Sequence, residues 1–196
     1  MTNVAMIHIT LPDGTVNEYA AGITCGEVII DALGKKHGCL AAKVDGQEHD
    51  LSTSLNVDCS VEGILAHSDE GMHILRHSAA HLLAQAVMEL YPGALPTIGP
   101  AIDRGFYYDF AMEPIAQGDL KAIEKKMHEL ARKNLTVERV ELDQTTLREH
   151  FESNPYKLEI IDDKLEAGDG STIYKQGEWY DLCLGPHVPS LSLIHI

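Results

Sequence analysis

A long helical pattern from residue 69 to residue 91 is the feature that most constrains the fold of this chain. Ser68 and the two acids that follow it are typical of a helix N-terminus, because a capping hydroxyl and negative charges suit the positive end of the helix dipole. Pro92 and Gly93 then end the helix. Its apolar residues predict one buried stripe, formed by Ile74, Leu75, Leu82, Leu83, Ala86, Val87 and Leu90. The helix separates a β-rich N-terminal part from a mixed part, so the sequence predicts two domains.

The N-terminal part predicts a small β-grasp domain, in which a short sheet packs on one helix. Alternating residues and the turn Leu-Pro-Asp-Gly (11–14) predict a hairpin. Thr24 and Glu27 form a capping-box pattern at the start of a helix of about ten residues, with Gly38 as its predicted end. The predicted strands cover residues 4–11, 15–20, 41–44 and 58–65. No catalytic cluster is evident in this part.

The C-terminal part predicts a second domain with helices on one side of a sheet, so the fold class of the chain is α+β. Asp119 is predicted to cap an amphipathic helix, and Asp143 a short helix that ends near residue 151. The alternation of apolar and polar residues predicts strands at 105–110, 136–142, 156–161, 171–176 and 178–184. We find no internal repeat and no low-complexity tract.

The charge balance excludes one class of nucleic-acid-binding protein. The chain holds 15 Lys and Arg against 30 Asp and Glu, which gives a net charge of −15. It therefore lacks the broad positive field of a non-specific binder, and any RNA contact must be local. The densest basic segment spans 121–139 and contains Lys121, Lys125, Lys126, Arg132, Lys133 and Arg139. A solvated helix face explains the same charges, and both interpretations stay open.

Cysteine usage and the N-terminal residues indicate the compartment. The four cysteines form no Cys-x-x-Cys pair and no regular framework, which favours reduced thiols. The first residues lack a basic stretch followed by an apolar core, as a signal peptide requires. No apolar run approaches the roughly 18 residues of a membrane span. We therefore expect a cytoplasmic protein without a membrane segment.

Two pairs of residues carry the chemistry that the sequence offers. His77 and His81 lie one helical turn apart and project from the same face. Cys183 and His187 are also four residues apart, but Gly-Pro between them predicts a strand that runs into a tight turn. Two imidazoles with a further thiolate and imidazole are a donor set for tetrahedral zinc, and they suit a hydrolytic cluster equally well. Each pair alone also fits ordinary packing of a buried histidine and a small apolar thiol.

Several motifs resemble the N-terminal part of bacterial threonyl-tRNA synthetases. They are Leu-Pro-Asp-Gly (11–14), Arg-His-Ser-Ala-Ala-His-Leu-Leu (76–83), Ile-Gly-Pro (98–100), Gly-Phe-Tyr-Tyr-Asp (105–109) and Asp-Leu-Cys-Leu-Gly-Pro-His-Val-Pro (181–189). The resemblance covers nearly the whole chain up to Ser190. It implies a TGS domain of β-grasp fold at 4–66 and a tRNA editing domain at 68–190 that is incomplete, while residues 191–196 match nothing in the family.

The resemblance also implies a function. In this family the second domain hydrolyses serine that has been esterified by mistake to threonine tRNA, so the implied partner is the acceptor end of that tRNA. Full-length members are homodimers. The aminoacylation domain of the family has no counterpart in these residues, and we accordingly expect no ATP site in the chain.

The site residues implied by the resemblance fall into two groups. His77, His81, Lys157 and Cys183 are expected to be catalytic, with Lys157 stabilising charge at the ester and His77 positioning a water molecule or the ribose hydroxyl. Asp181 is expected to hold the substrate ammonium, and Tyr108 and His187 to shape the wall that reads the side chain. From the residues alone, Lys157 also fits a solvated position on an edge strand, and Asp181 a hydrogen-bond acceptor at a strand end.

The cofactor requirement has two alternatives. The resemblance implies that editing needs no metal, whereas related alanyl-tRNA editing domains hold zinc with a similar donor set. The alternative is therefore a zinc site at His77, His81, Cys183 and His187. A zinc-stabilised module that binds RNA or protein without catalysis is the corresponding alternative function, and an adaptor that uses the N-terminal sheet for such contacts is another.

Overall fold

The computed structural model describes residues 5–166 and 168–195, which form two compact units. The N-terminal unit comprises the chain up to Leu75 together with Pro186–Pro189. The C-terminal unit comprises Arg76–Gly185 and the residues from Ser190 on. Val4, the predicted start of the first strand, and Ile196, the end of the predicted tail, lie outside the described residues. The long helix α2 (Asp69–Leu90) is continuous from one unit into the other.

The N-terminal unit is a β-grasp, which confirms the predicted fold. Its elements are β1 (Met6–Thr10), β2 (Val16–Ala20), β3 (Ile23–Thr24), α1 (Cys25–Leu33), β4 (Cys39–Val44), β5 (Gln47–Asp50), β6 (Ser54–Leu55) and β7 (Cys59–Leu65). The main sheet has the order β2-β1-β7-β4-β5, and β1 and β7 are parallel. Apolar residues of this sheet and of α1 form one core, with Ile9 and Val28 fully buried.

Helix α1 begins as predicted and ends earlier than predicted. The hydroxyl of Thr24 accepts a hydrogen bond from the Glu27 backbone N–H, and the Glu27 carboxylate accepts one from the Thr24 backbone N–H. The predicted end at Gly38 is wrong, because Gly34 takes the left-handed φ of 81° that only glycine adopts without strain. Its N–H donates to the Ile30 carbonyl and satisfies one of the last free helix carbonyls.

The C-terminal unit packs helices on a three-stranded antiparallel sheet of order β12-β13-β14. Its elements after α2 are β8 (Leu95–Pro96), β9 (Ala101–Ile102), β10 (Gly105–Phe106), β11 (Phe110–Ala111), α3 (Leu120–Arg132), β12 (Val137–Leu142), α4 (Gln144–His150), α5 (Pro155–Lys164), β13 (Ser171–Gln176) and β14 (Trp179–Leu182). Leu147 of α4, Ile161 of α5 and Ile173 of β13 share one core cluster. This mixture of helices with a sheet agrees with the predicted α+β fold class.

The predicted strand at 156–161 is wrong, since these residues belong to helix α5. The side-chain oxygen of Asn154 accepts hydrogen bonds from the backbone N–H groups of Tyr156 and Lys157, which is N-capping. Pro155 occupies the first helical turn, where its missing N–H costs nothing. Asn154 and Pro155 therefore mark the start of a helix in the sequence, although the alternation of apolar residues that follows them favoured a strand.

Two further predictions are corrected in the loops before α3. The predicted strand at 105–110 is divided into β10 and β11, which pair with different strands. Asp119 makes no capping hydrogen bond to α3. Its carboxylate accepts instead from the backbone N–H of Ala116, at the start of a 3-10 turn that leads into the helix.

The predicted stripe of α2 is only part of its buried surface. Small residues on other faces, including Ala80, Ala84 and Ser78, are also fully buried. At the other end of the C-terminal unit, Leu191 and Ile194 are buried, and residues 191–193 form a 3-10 turn. None of the helices among the described residues is both long and apolar enough to cross a bilayer.

We expect Leu147→Ala to lower the free energy of unfolding by about 2–5 kcal/mol, because it removes methyl groups from a fully buried site and leaves a cavity. Denaturant unfolding followed by circular dichroism measures the change. Leu120→Ala is the matched control, since Leu120 is 54% exposed. Equal losses for the two variants would contradict the assignment of the core.

Candidate active site

A cavity of about 500 Å³ lies within the C-terminal unit. Its polar side is lined by residues from α2, α5, the loop before β11, and β14 with the residue that follows it, namely His77, His81, Tyr108, Lys157, Asp181 and Cys183. Six of the seven site residues expected from the sequence therefore line one cavity. The rest of the lining is mainly apolar and includes Ile98, Ile160 and Leu184.

The two histidines of α2 occupy adjacent positions in the cavity wall. Their ring centroids are 5.2 Å apart, and the rings meet edge to face. His81 is 3% exposed, and Trp179 packs edge-on against it at 5.7 Å. Burial lowers the pKa of His81 well below its ordinary value, and the charges of His77 and Lys157 lower it further. Its Nε2 is 3.9 Å from Asp181 Oδ2, but a neutral imidazole makes this a contact between dipole and charge rather than an ion pair.

Cys183 lies against His77. The distance between its Sγ and His77 Nε2 is 3.3 Å, and the backbone N–H of Gly185 donates to the same sulfur at 3.3 Å. Gly185 has a φ of 76°, and a Cβ at this position would collide with the Tyr174 hydroxyl. Glycine is therefore required here both by its backbone conformation and by the close approach of the tyrosine.

Lys157, Asp181 and Tyr108 form a buried polar cluster next to the histidines. Lys157 Nζ is 2.6 Å from Asp181 Oδ1 and donates to the Tyr108 hydroxyl at 3.2 Å. The Tyr108 hydroxyl donates to Asp181 Oδ2 in a short hydrogen bond. The side chains of Lys157 and Asp181 are 3% and 2% exposed, so each charge is desolvated and compensated by the other. The solvated position considered for Lys157 is wrong.

Helix α5 determines where Lys157 lies. Asn154 caps the helix and also donates from Nδ2 to the Pro96 carbonyl at 2.8 Å, which fixes the N-terminus of α5 against the loop that carries Ile98. Lys157 is in the first turn, so its backbone position follows directly from the cap. A strand would have given the same residue a different direction, and the sequence analysis identified Lys157 only through its family resemblance.

Both carboxylate oxygens of Asp181 already have partners within the protein. Its Oδ1 also accepts from the Leu182 backbone N–H at 2.8 Å. The carboxylate raises the pKa of Tyr108, after the larger effect of burial, so this phenol stays protonated and acts as a donor. A substrate ammonium at Asp181 must share the carboxylate with Lys157. The expected role of Asp181 in holding that ammonium stays a prediction.

His187, the seventh expected residue, belongs to the N-terminal unit. It is 1% exposed, and its backbone N–H donates to Asp50 Oδ1 at 3.0 Å. Its expected part in reading the substrate side chain, and in the alternative zinc site, stays a prediction.

The cavity is also lined by residues to which the sequence analysis gave no role. A Cβ on Gly99 would enter the ring of Tyr108, so this glycine lets the loop lie flat on the aromatic face. Lys164 and Leu184 line the same cavity, and Leu184 is 79% exposed. Leu184 directly follows Cys183, but its exposure is a property of the structure that the sequence did not reveal.

The chemistry of the donor atoms fits a metal ion. One ligand atom from each of His77, His81 and Cys183 lies within 4.8 Å of the others. Imidazole nitrogen and thiolate sulfur are the donors that zinc prefers, and a zinc ion held by them would lower the pKa of a bound water molecule. Cys183 Sγ and His77 Nε2 are also in direct hydrogen-bonding contact with each other.

We expect the stability of the metal-free protein to fall as the pH is lowered from about 7.5 to 5.5, partly through His81. The unfolded chain takes up a proton at this histidine near pH 6.5, whereas the folded chain, with its lowered pKa, does not. Where the unfolded chain binds about one proton more than the folded chain, the free energy of unfolding falls by about 1.4 kcal/mol per pH unit. His81→Gln should remove it, as measured by denaturant unfolding at several pH values. An NMR titration of the folded protein that places the pKa of His81 near 6.5 would contradict this expectation.

Comparisons with protein families assign both ends of the chain. Residues 7–64 match the TGS domain family. Residues 171–196 match the family described as threonyl and alanyl tRNA synthetase second additional domain. The second match runs to the last residue and so includes the segment 191–196, for which we expected no counterpart.

The chain is also similar to curated proteins named threonine–tRNA ligase. It is 48% identical over 191 residues to that of Hyphomonas neptunium, 43% over 184 residues to that of Thermoplasma acidophilum and 43% over 196 residues to that of Streptococcus mutans. These matches cover 94%, 94% and 97% of the chain and 29%, 27% and 30% of the ligases. The chain thus spans less than a third of the relatives it matches. In its sequence and domain content it resembles the N-terminal region of the threonyl-tRNA synthetases, with a TGS domain followed by a segment of the second additional domain.

Proposed function

We propose that the C-terminal unit hydrolyses the ester of serine mistakenly attached to threonine tRNA. The observation that carries the proposal is the placement of Lys157, buried against Asp181 and Tyr108, in the same cavity as His77 and Cys183. The similarity to threonine–tRNA ligases supplies the substrate class. The matches to the TGS domain and to the second additional domain of threonyl and alanyl tRNA synthetases agree with a protein that acts on tRNA.

A separate hydrolytic site has a clear physical purpose in such a protein. Serine lacks one methyl group of threonine, and a difference of that size gives a binding pocket only about 1–3 kcal/mol of discrimination. A second pocket that accepts serine and excludes threonine removes the remaining errors by hydrolysis. The reaction breaks an ester bond between the amino acid and the terminal ribose.

Lys157 stabilises the negative charge that develops on the carbonyl oxygen of the ester. Its ammonium has three N–H groups, of which one serves Asp181 and one serves Tyr108. The third is available to the carbonyl of a substrate in the cavity. Because the ammonium is already desolvated and held in place, little reorganisation is needed when the oxyanion forms.

His77 and Cys183 act on the other side of the ester. His77 positions the attacking water molecule or the free ribose hydroxyl, with its ring held by the contact to Cys183 Sγ. His81 stays neutral because of burial and packs against the ring of His77. A neutral imidazole accepts or relays a proton, as general-base catalysis requires.

The apolar side of the cavity receives the terminal nucleoside. Ile98, Ile160 and Leu184 offer flat apolar surface to a base, whereas the ester lies at the polar end. Tyr108 and His187 are proposed to shape the wall that reads the amino-acid side chain. The remaining acceptor end of the tRNA approaches the exposed basic face of α3, formed by Lys121, Lys125 and Arg132. A cytoplasmic location and a homodimeric full-length protein stay predictions.

We expect Lys157→Ala to lower the rate of seryl-tRNA hydrolysis by about 100- to 1000-fold, because it removes the group that stabilises the oxyanion. The measurement is release of serine from charged threonine tRNA, with threonyl-tRNA as the parallel substrate. The parent chain should hydrolyse the seryl ester faster than the threonyl ester. Equal release from both, or an unchanged rate in the variant, would contradict the mechanism.

Two further variants make this experiment interpretable. Lys157→Arg keeps a positive charge beside Asp181, so it should remain folded, but its planar head displaces the donor and the rate should still fall at least about tenfold. Lys36→Ala removes an exposed lysine of the N-terminal unit and should change nothing. Circular dichroism establishes that each variant is folded.

We expect chelation to leave hydrolysis unchanged, because Lys157 supplies the positive charge that a metal ion would otherwise provide. The rate is measured before and after chelator treatment, together with the metal content of the purified chain. A stoichiometric metal ion whose removal abolishes hydrolysis, and whose return restores it, would show that His77, His81 and Cys183 hold a catalytic zinc.

A further inference from the structure

We propose that Lys164 forms a phosphate subsite at the rim of the cavity, for the phosphodiester group that joins the terminal nucleoside to the rest of the RNA. This inference rests on the proposed hydrolysis of a tRNA ester. It concerns a residue to which neither the sequence analysis nor the catalytic cluster gives a role.

Helix geometry sets the distance between the two lysines of α5. Lys157 and Lys164 are seven residues apart, close to two turns, so they project from nearly the same face at about 10.5 Å along the axis. Both line the cavity. Lys157 is buried at the polar end of the cavity, whereas Lys164 is exposed. A nucleoside with its ester at Lys157 extends its 5′-phosphate towards Lys164.

Lys164 is electrostatically available for this contact. Among the residues that the structure describes, it takes part in no ion pair, and the nearby Asp162 pairs with Arg148. Asp163 and Glu166 are exposed to solvent, so water screens their effect on an incoming phosphate. An exposed ammonium on a flexible stem is an ordinary phosphate ligand.

A second cavity offers a path for the next part of the RNA chain. It has a volume of about 560 Å³ and adjoins the first, because Leu165, Ser171 and Leu184 line both. Lys164 directly precedes Leu165, which lines both cavities. The two cavities together make a continuous surface, and a phosphate at Lys164 lies where a nucleotide chain passes from one to the other.

The test uses two minimal substrates, the seryl ester of adenosine and the seryl ester of adenosine 5′-phosphate. The parent chain should cleave the phosphorylated ester with the higher kcat/KM. Lys164→Gln should lower kcat/KM for that ester by about three- to tenfold, as expected for one solvent-exposed ionic contact, and leave the adenosine ester within about twofold. Lys36→Gln, which removes an equally exposed lysine, should affect neither. Equal losses on both esters, or no loss on either, would overturn the subsite.

A binding measurement separates this inference from the proposed function. Calorimetry with the two corresponding seryl amides, which are not hydrolysed, compares their affinities for the intact chain. Tighter binding of the phosphorylated amide, and loss of that preference in Lys164→Gln, would support the subsite even if the chain hydrolysed no ester. Equal affinities in the parent chain would reject it, whatever the hydrolysis assay gave.

Discussion

The buried pair of Lys157 and Asp181 is the interaction on which the candidate site depends. Removing both charges from water costs several kcal/mol for each ion, and the short contact, the Tyr108 hydroxyl and the Leu182 N–H together offset that cost. Apolar residues of similar size would hold this region together at least as well. The pair therefore fits the role proposed for Lys157 better than a purely stabilising one. Loss of either partner would leave the other uncompensated, at a cost of about 3–5 kcal/mol.

The pair also joins parts of the chain that are distant in sequence. Lys157 is fixed by the N-cap of α5, Asp181 by its place in β14, and Tyr108 by a loop that Gly99 allows to pack on its ring. Three local conformations must therefore form before the cluster can exist. The Asn154 amide reinforces one of these connections, because it caps α5 and donates to the Pro96 carbonyl at the same time.

The sequence predicted those elements that local chemistry determines. The hairpin around residues 11–14, the Thr24–Glu27 capping box, the Asp143 cap and the long helix α2 all form as expected, because each depends on residues close in sequence. Helix α5 was missed because its short alternation of apolar residues also fits a strand, and the Asn-Pro signal was passed over. Gly38 was predicted as the end of α1, but the helix ends at Gly34, which is followed by a turn, whereas Gly38 directly precedes β4.

The site was predictable to a different extent. Spacing alone placed His77 and His81 on one face, whereas the role of Lys157 came only from the resemblance to a family. The engagement of both Asp181 oxygens could not be foreseen, since one of them accepts from the Tyr108 hydroxyl, which only the fold brings close, and the other accepts from the Leu182 backbone N–H. Lys164 belongs to none of the quoted motifs, and Leu184 lies within the 181–189 motif without an assigned role, so only the cavity lining identifies the two residues.

The contact between Trp179 and His81 has a practical consequence. The chain contains a single tryptophan, and its indole lies edge-on to a buried imidazole while its N–H points to Met88 Sδ at 3.0 Å. The protein therefore carries one tryptophan fluorophore, and it lies against a histidine of the cavity wall. Its emission reports on the charge and solvation of the cavity without any added label.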